Sequence, residues 1–304
     1  MRYSRLTVFL ALILSLCSGL ILASCVSAPG AAEAKNQGIP EVRYWENPTR
    51  KAGLAAMTVS GESLAAHEVP KRESPRVVIL MYHNIVFGRT GNEYNRDIYN
   101  FEHDLAFIRA RYQIIDLGEL LDYAAGKKKL EHDAAIITFD DGDLSMYAIA
   151  YPLLREYGIK ATFFLISGFV GDVGYMNWNQ IAEMARYEDE NGQKLFTMAS
   201  HGKSHARMGE LGLEDVRIEL EESKLEIEKR IGMPVEFLAL PFGSGAGNEA
   251  IQALARSLGY RGIRTSDNLA PPLERIQPYR LPGIYIDNRG TDTMMQAVWS
   301  LSGH

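Results

Sequence analysis

Asp140 and Asp141 stand side by side at the end of the apolar run Ala134-Ala135-Ile136-Ile137-Thr138-Phe139, with Gly142 directly behind them. A run of this length, rich in Ile with Thr and Phe, predicts a buried parallel strand. Its C-terminal end is where α/β sheets and barrels keep their chemistry. Neighbouring strand residues point to opposite faces, so the two acids serve one site only if the chain turns there. Gly142 permits that turn. Two carboxylates in a partly buried pocket each resist ionising beside the other unless a cation compensates. For Asp-Asp-Gly taken alone, an acidic loop after a strand is the plain alternative.

The second stretch with chemical content is Ser200-His201-Gly202-Lys203-Ser204-His205. A spacing of four puts both imidazoles on one side of a helical or extended segment, which suits two ligands of one metal. On its own this spacing also occurs idly on surface turns. Joined to a strand-end carboxylate, two histidines leave coordination positions open for water and substrate. The same set fits a non-haem iron oxygenase. A second acid beside the ligand favours hydrolysis, in which one carboxylate binds and its neighbour takes a proton from water.

Alternating elements must hold these residues in place. Val77-Val78-Ile79-Leu80-Met81-Tyr82-His83 predicts a buried strand that ends in a polar pair. Strands are expected again near 114–115, 161–166, 195–200, 237–240, 261–265 and 285–286. Helices are expected over 101–112, 117–125, 146–157, 178–187, 213–230 and 250–258. Residues 213–230 form the clearest amphipathic helix, and its glutamate-rich face is expected to be solvated. Lys127-Lys128-Lys129 reads as a solvated turn. The alternation, with no internal repeat, argues for one α/β domain with a mostly parallel sheet or barrel.

Over roughly residues 83–286 the chain resembles the polysaccharide deacetylases with a NodB homology domain, carbohydrate esterase family 4. Thr138-Phe139-Asp140-Asp141-Gly142 is similar to the family's first motif and residues 201–205 to its second, with Lys160-Ala161-Thr162-Phe163-Phe164 lying between them as the family's strand does. The resemblance implies a NodB-type distorted (β/α) barrel with its active site at the C-terminal strand ends. It implies Asp140 as catalytic base, and Asp141, His201 and His205 as ligands of a divalent metal ion, Zn2+ being the one expected. It also implies that the backbone N–H of Phe242 faces the oxyanion. In the third motif, Ala239-Leu240-Pro241-Phe242-Gly243 lacks the Arg that orients the catalytic Asp, and Arg264 or Arg280 is the expected substitute. In the fifth, Ile284-Tyr285-Ile286-Asp287 puts Asp287 where a general-acid His belongs.

Met81-Tyr82-His83-Asn84 and Tyr279-Arg280-Leu281-Pro282 are similar to a branch that includes deacetylases of exported poly-N-acetylglucosamine. Within it His83 or Asp287 is the expected general acid. For His83, a strand-end histidine satisfied by backbone is the competing reading. Trp178, Tyr175 and Phe242 are expected to line a sugar groove, with Trp178 equally suited to the core. The implied activity is metal-dependent removal of N-acetyl groups from an amino-sugar polymer such as poly-N-acetylglucosamine, a chitin-like chain or peptidoglycan. An O-acetyl polysaccharide esterase and a catalytically impaired glycan-binding lipoprotein are the alternatives.

The N-terminus is separate from this domain. Arg2 and Arg5 precede an apolar run over 6–23, the pattern of a secretory signal. Leu22-Ala23-Ser24-Cys25 looks like a bacterial lipobox, so residues 1–25 are expected to be a signal peptide with Cys25 lipidated. An uncleaved signal anchor is the alternative. Residues 26–75 read as linker and N-terminal extension, with a strand expected near 41–45, and 76–304 as the deacetylase domain. An exported, membrane-anchored lipoprotein of the cell envelope follows, expected to be monomeric. Both cysteines of the 304-residue chain, Cys17 and Cys25, lie in the leader, so any metal is held by nitrogen and oxygen. A net charge of -6, with 46% hydrophobic and 23% charged residues, gives no basic footprint for nucleic acid.

Overall fold

A computed structural model describes residues 69, 71–88 and 92–304. The signal segment with Cys25 and the strand expected near 41–45 lie outside the described residues. The strands are β1 (Val77–Tyr82), β2 (Asn84–Val86), β3 (Asn95–Asp97), β4 (Gln113–Ile114), β5 (Ala134–Phe139), β6 (Ala161–Leu165), β7 (Phe196–Ser200), β8 (Phe237–Ala239), β9 (Gly262–Thr265) and β10 (Leu281–Tyr285). Interleaved with them are helices α1 (Ile98–Arg111), α2 (Leu117–Ala124), α3 (Tyr151–Tyr157), α4 (Trp178–Arg186), α5 (Leu213–Ile231), α6 (Glu249–Ser257) and α7 (Thr291–Leu301).

Every ladder in the main sheet is parallel, in the order β1-β10-β9-β8-β7-β6-β5, and β5 pairs back onto β1 from Val77 against Ala134 to Tyr82 against Phe139. The ring is therefore a closed seven-stranded (β/α) barrel, as the resemblance implied. β4 pairs only with the start of β5, ahead of the stretch where β6 takes over the same edge.

Two packed layers hold the ring together. Val77, Ile79, Ile136, Phe164, Ala199, Ala239 and Leu281 come from strands around the ring and form one buried cluster. On the opposite face Phe139 stacks on Phe163 at 5.0 Å and on Tyr82 at 5.5 Å, and meets Phe101 of α1 edge-on at 5.8 Å. Each such side chain contributes about 1.5–3 kcal/mol relative to exposure. The helix ends are fixed locally. Asp116 with Glu119 and Asn177 with Gln180 form capping boxes at the starts of α2 and α4, and Gly232, at φ 73°, closes α5 in a left-handed turn.

Three stretches differ from the sequence expectation. The helix expected over 146–157 starts with a π-helical turn, Met146–Ala150, in which the Tyr151 N–H reaches Met146 O. Pro152, next in line, has no N–H with which to continue a normal ladder. The strand expected at 285–286 is Leu281–Tyr285, disguised by Pro282 and Gly283, residues that usually argue against a central strand. Gly283 is there for space: a Cβ would sit 2.6 Å from Thr265 O and 2.7 Å from Cδ of Arg264, whose side chain passes it inside the barrel. Finally, β2, β3 and α7 were not foreseen. β3 is tied to the barrel by Arg96, fully buried against Asp104, with Nη1 also donating to the carbonyl oxygens of Asp287 and Arg289.

Candidate active site

At the C-terminal end of β5 the chain does turn. Asp141 and Gly142 adopt φ 78° and 86°, so Asp140 and Asp141 both reach one cavity of about 650 Å3. Met81, His83, Tyr94, His201, His205, Phe242, Asn268 and Tyr285 are among its walls. Among the described residues, the non-glycine positions with positive φ are Asp141, His205, Phe242 and Asn268, and all four line this cavity. Strained backbone of this kind persists only where the surroundings over-determine it, and it gathers at functional sites.

Asp140 is buried and its Oδ2 accepts from Nη2 of Arg264, while its Oδ1 has no hydrogen-bond partner. Burial alone would raise its pKa. The Arg264 guanidinium is the chief influence opposing burial, and the carboxyl is held below the usual carboxylate range. Of the two arginines expected to serve Asp140, Arg264 is the one that pairs with it. Arg280 does not, because it pairs with Asp267 at the surface, 3.1 Å away.

Asp141, His201 and His205 present donor atoms that all lie within 4.8 Å of one another. Asp141 Oδ1 is 3.5 Å from His201 Nε2 and 3.3 Å from His205 Nε2. The His201 Nδ1–H donates to Ala239 O at 2.9 Å, which assigns the lone pair to Nε2. Burial pushes the His201 pKa down to about 3 and lowers that of His205, so both imidazoles are neutral at pH 7. Burial, followed by the charge of Asp140, pushes Asp141 up to about 6. A carboxylate oxygen facing imidazole lone pairs, itself buried without a hydrogen-bond partner, is a set of acceptors that lacks a cation. The residues fit a divalent metal ion bound by nitrogen and oxygen.

His83 follows β1 on the side of Met81, beside β10, and reaches the cavity wall with Nδ1 buried and unpartnered. It packs edge-on against Tyr94 at 5.0 Å and Tyr285 at 5.7 Å. Burial lowers its pKa. Asp287 corrects an expectation, since it is not among the cavity's lining residues. Its carboxylate turns to its own neighbour Arg289, 2.8 Å from Nε, and its pKa is lowered by that pair against the effect of burial. A general acid needs the reverse. Trp178 and Tyr175 are absent from the wall as well: Arg230 lies over the Trp178 ring at 5.4 Å and Tyr175 packs on Phe169 at 5.3 Å. Phe242 does line the cavity, half exposed, with its ring 4.6 Å from that of His205 and under the Arg207 guanidinium at 4.1 Å.

The family model described as polysaccharide deacetylase matches residues 127–263, a span that includes Asp140, Asp141, His201 and His205. Over that span the chain is similar to the polysaccharide deacetylase family. Over 255 residues, 83% of this chain and 85% of its relative, it is 27% identical to YxkH of Bacillus subtilis, a candidate polysaccharide deacetylase. Over 204 residues, 64% of this chain and 69% of the other, it is 24% identical to the poly-beta-1,6-N-acetyl-D-glucosamine N-deacetylase of Staphylococcus epidermidis. The fold matches that of the Streptococcus pyogenes deacetylase PplD with a TM-score of 0.65 at 21% identity, covering 74% of this chain and 98% of that one.

Several residues of this candidate site carry no sequence signal of their own. Tyr94 and Tyr285 form the wall around His83, and the sequence marks Tyr285 as a strand and motif position without a role in the wall. Glu219 lies among the acids of α5, where a solvated face was expected, yet it is buried.

Proposed function

We propose that the protein hydrolyses N-acetyl groups of an amino-sugar polymer, with poly-N-acetylglucosamine the foremost candidate, and that it does so with a divalent metal ion. One observation carries this reading: an ionised Asp140 with a free oxygen stands beside a cation-seeking set of Asp141, His201 and His205, at the catalytic end of a deacetylase barrel. The named activity of the Staphylococcus epidermidis relative supports the choice of polymer.

Asp141, His201 and His205 would hold the ion, Zn2+ being the expected one, and a bound ion there supplies Lewis acidity toward water and the acetyl carbonyl. Asp140 takes the proton of the attacking water at Oδ1, because Oδ2 is engaged by Arg264. The backbone N–H of Phe242, a residue of the cavity wall, would donate to the charge that develops on the carbonyl oxygen. The departing amine must gain a proton; Asp287 is tied to Arg289, which leaves His83, beside Asp140 on the neighbouring strand end and neutral at rest, to pass on a proton that it must first take up in the site.

The test is acetate release from β-1,6-linked N-acetylglucosamine oligomers, chito-oligosaccharides, peptidoglycan and acetylated xylan. Release from the first, abolished by a chelator, is expected; release from xylan alone would make the protein an O-acetyl esterase. We further propose that Cys25 carries a lipid anchoring the enzyme in the cell envelope, on the strength of the Leu22-Ala23-Ser24-Cys25 motif behind its apolar run. Incorporation of a fatty-acid analogue that persists in Cys25→Ala would overturn this.

A further inference from the structure

The loop that carries both histidines of the metal set has a feature the catalytic reading leaves unused. Between His201 and His205, the amides of Lys203 and Ser204 both donate to Glu219 Oε2, at 2.8 and 2.9 Å, and the Ser204 hydroxyl donates to Oε1 at 2.5 Å. Glu219 projects from the middle of α5 and is 8% exposed; among the buried residues of that helix it is the one acid. The approach is close enough that a Cβ on Gly202 would lie 3.1 Å from Glu219 Oε2. One turn further along α5, the Ser223 hydroxyl meets that of Ser200, the residue before His201, at 2.8 Å.

The loop needs such a clamp. Gly202 and His205 hold φ 77° and 63°, and a residue other than glycine does not stay in that region without restraint. Two successive amides turned toward the protein interior also require an acceptor. A carboxylate meets both needs at once, since charge-assisted bonds to one anion are about twice as strong as neutral ones. On the far side of the loop, Gly168 N–H donates to Lys203 O at 2.9 Å, so the segment is gripped from both flanks.

We infer that Glu219 is a positioning residue of the metal site, setting the angle at which His201 and His205 present their Nε2 atoms and thereby the affinity for the ion. The inference rests on the proposed metal site but concerns a residue outside it. In Glu219→Gln the shape is kept but the anion is lost: the two loop amides keep only neutral bonds to the remaining oxygen, and the Ser204 hydroxyl faces a donor where it had an acceptor.

The test is calorimetric titration of Zn2+ into the metal-free, full-length protein, together with the thermal unfolding midpoint of the same metal-free samples. Loss of an outer hydrogen-bond partner of a metal site costs about tenfold to a hundredfold in metal affinity. Glu219→Gln is expected to weaken Zn2+ binding by that factor while the metal-free protein stays folded at 25 °C. A Zn2+ affinity equal to that of wild type, whatever happens to the midpoint, would reduce Glu219 to a stability residue and overturn the inference. If Glu219→Gln does not fold, Ser204→Ala, which removes one of the three donors, is judged by the same criterion. Failure of wild type itself to bind Zn2+ would instead strike the proposed metal site.

Discussion

Two aspartates of this barrel are paired with fully buried arginines, and they are finished differently. Asp104 takes Arg96 Nε at 2.7 Å and Tyr82 OH at 3.1 Å on Oδ2, and Arg96 Nη2 at 2.5 Å and Thr291 Oγ1 at 2.9 Å on Oδ1. Asp140 takes Arg264 on Oδ2 and nothing on Oδ1. The first pair joins α1, β3 and the start of α7 with its bonding capacity spent, which is what a structural anchor requires. The second keeps an acceptor free in the cavity, at the cost of an unsatisfied buried oxygen, and such an exception in a native protein points to use.

The sharpest way to break this contrast is to remove the divalent ion proposed to lie beside only one of the pairs. A chelator is expected to bring acetate release to background, with activity returning when Zn2+ or another divalent ion is restored. Asp104→Asn should respond to the same cycle as wild type. Acetate release that persists in metal-depleted protein would remove the basis for assigning the three ligands.

Next in size is the carboxylate itself. Asp140→Asn is expected to lower acetate release by about a hundredfold to ten-thousandfold, the worth of a positioned general base. Asp104→Asn should leave the rate per folded molecule close to wild type. Both variants strand a buried arginine, so each should lose about 3–5 kcal/mol of stability in a urea titration. Equal losses of activity in the two, measured on folded samples, would erase the distinction between anchor and base.

How far the sequence alone reaches follows from the same contrast. Asp140, Asp141, His201 and His205 were legible because each depends on its neighbours in the chain: a strand end, a glycine, a spacing of four. The barrel was legible for the same reason, since apolar runs and amphipathic stretches alternate. Contacts between distant segments were not. Arg264 and Arg280 looked equally able to serve Asp140, and only the closing of β9 beside β10 over Gly283 separates them. Asp287 was placed by motif position, which does not reveal that Arg289 holds it. Glu219 was hidden among solvated glutamates of α5, and the left-handed backbone at Asp141, His205 and Phe242 has no glycine to announce it.

A smaller effect sharpens what the arginine does for the base. Arg264→Lys keeps a positive charge but loses the planar fork. Asp140 should then be held less far below its usual range, because the guanidinium is the chief force lowering its pKa against burial. The acidic limb of the pH–rate profile is expected to move to higher pH, since the carboxylate must be ionised to take a proton. A limb at an unchanged pH would mean that Arg264 places Asp140 without tuning it.

The smallest effect concerns His83, whose free Nδ1 makes it the imidazole counterpart of Asp140. Burial lowers its pKa in the folded protein, so the unfolded chain takes up a proton near pH 6.5 while the folded one still refuses it. Wherever the unfolded state binds more protons, stability rises with pH. This contribution is therefore whole above about pH 6.5 and is lost as pH falls from there toward the lowered folded pKa, at no more than about 1.4 kcal/mol per pH unit. His83→Gln cannot take up that proton. Urea titrations of metal-free wild type and His83→Gln between pH 7.5 and 5 should diverge from parallel below pH 6.5, with wild type losing stability faster. Profiles that stay parallel would mean that His83 is solvated and open to protonation, and would weaken its assignment to the enclosed wall from which the leaving amine is protonated.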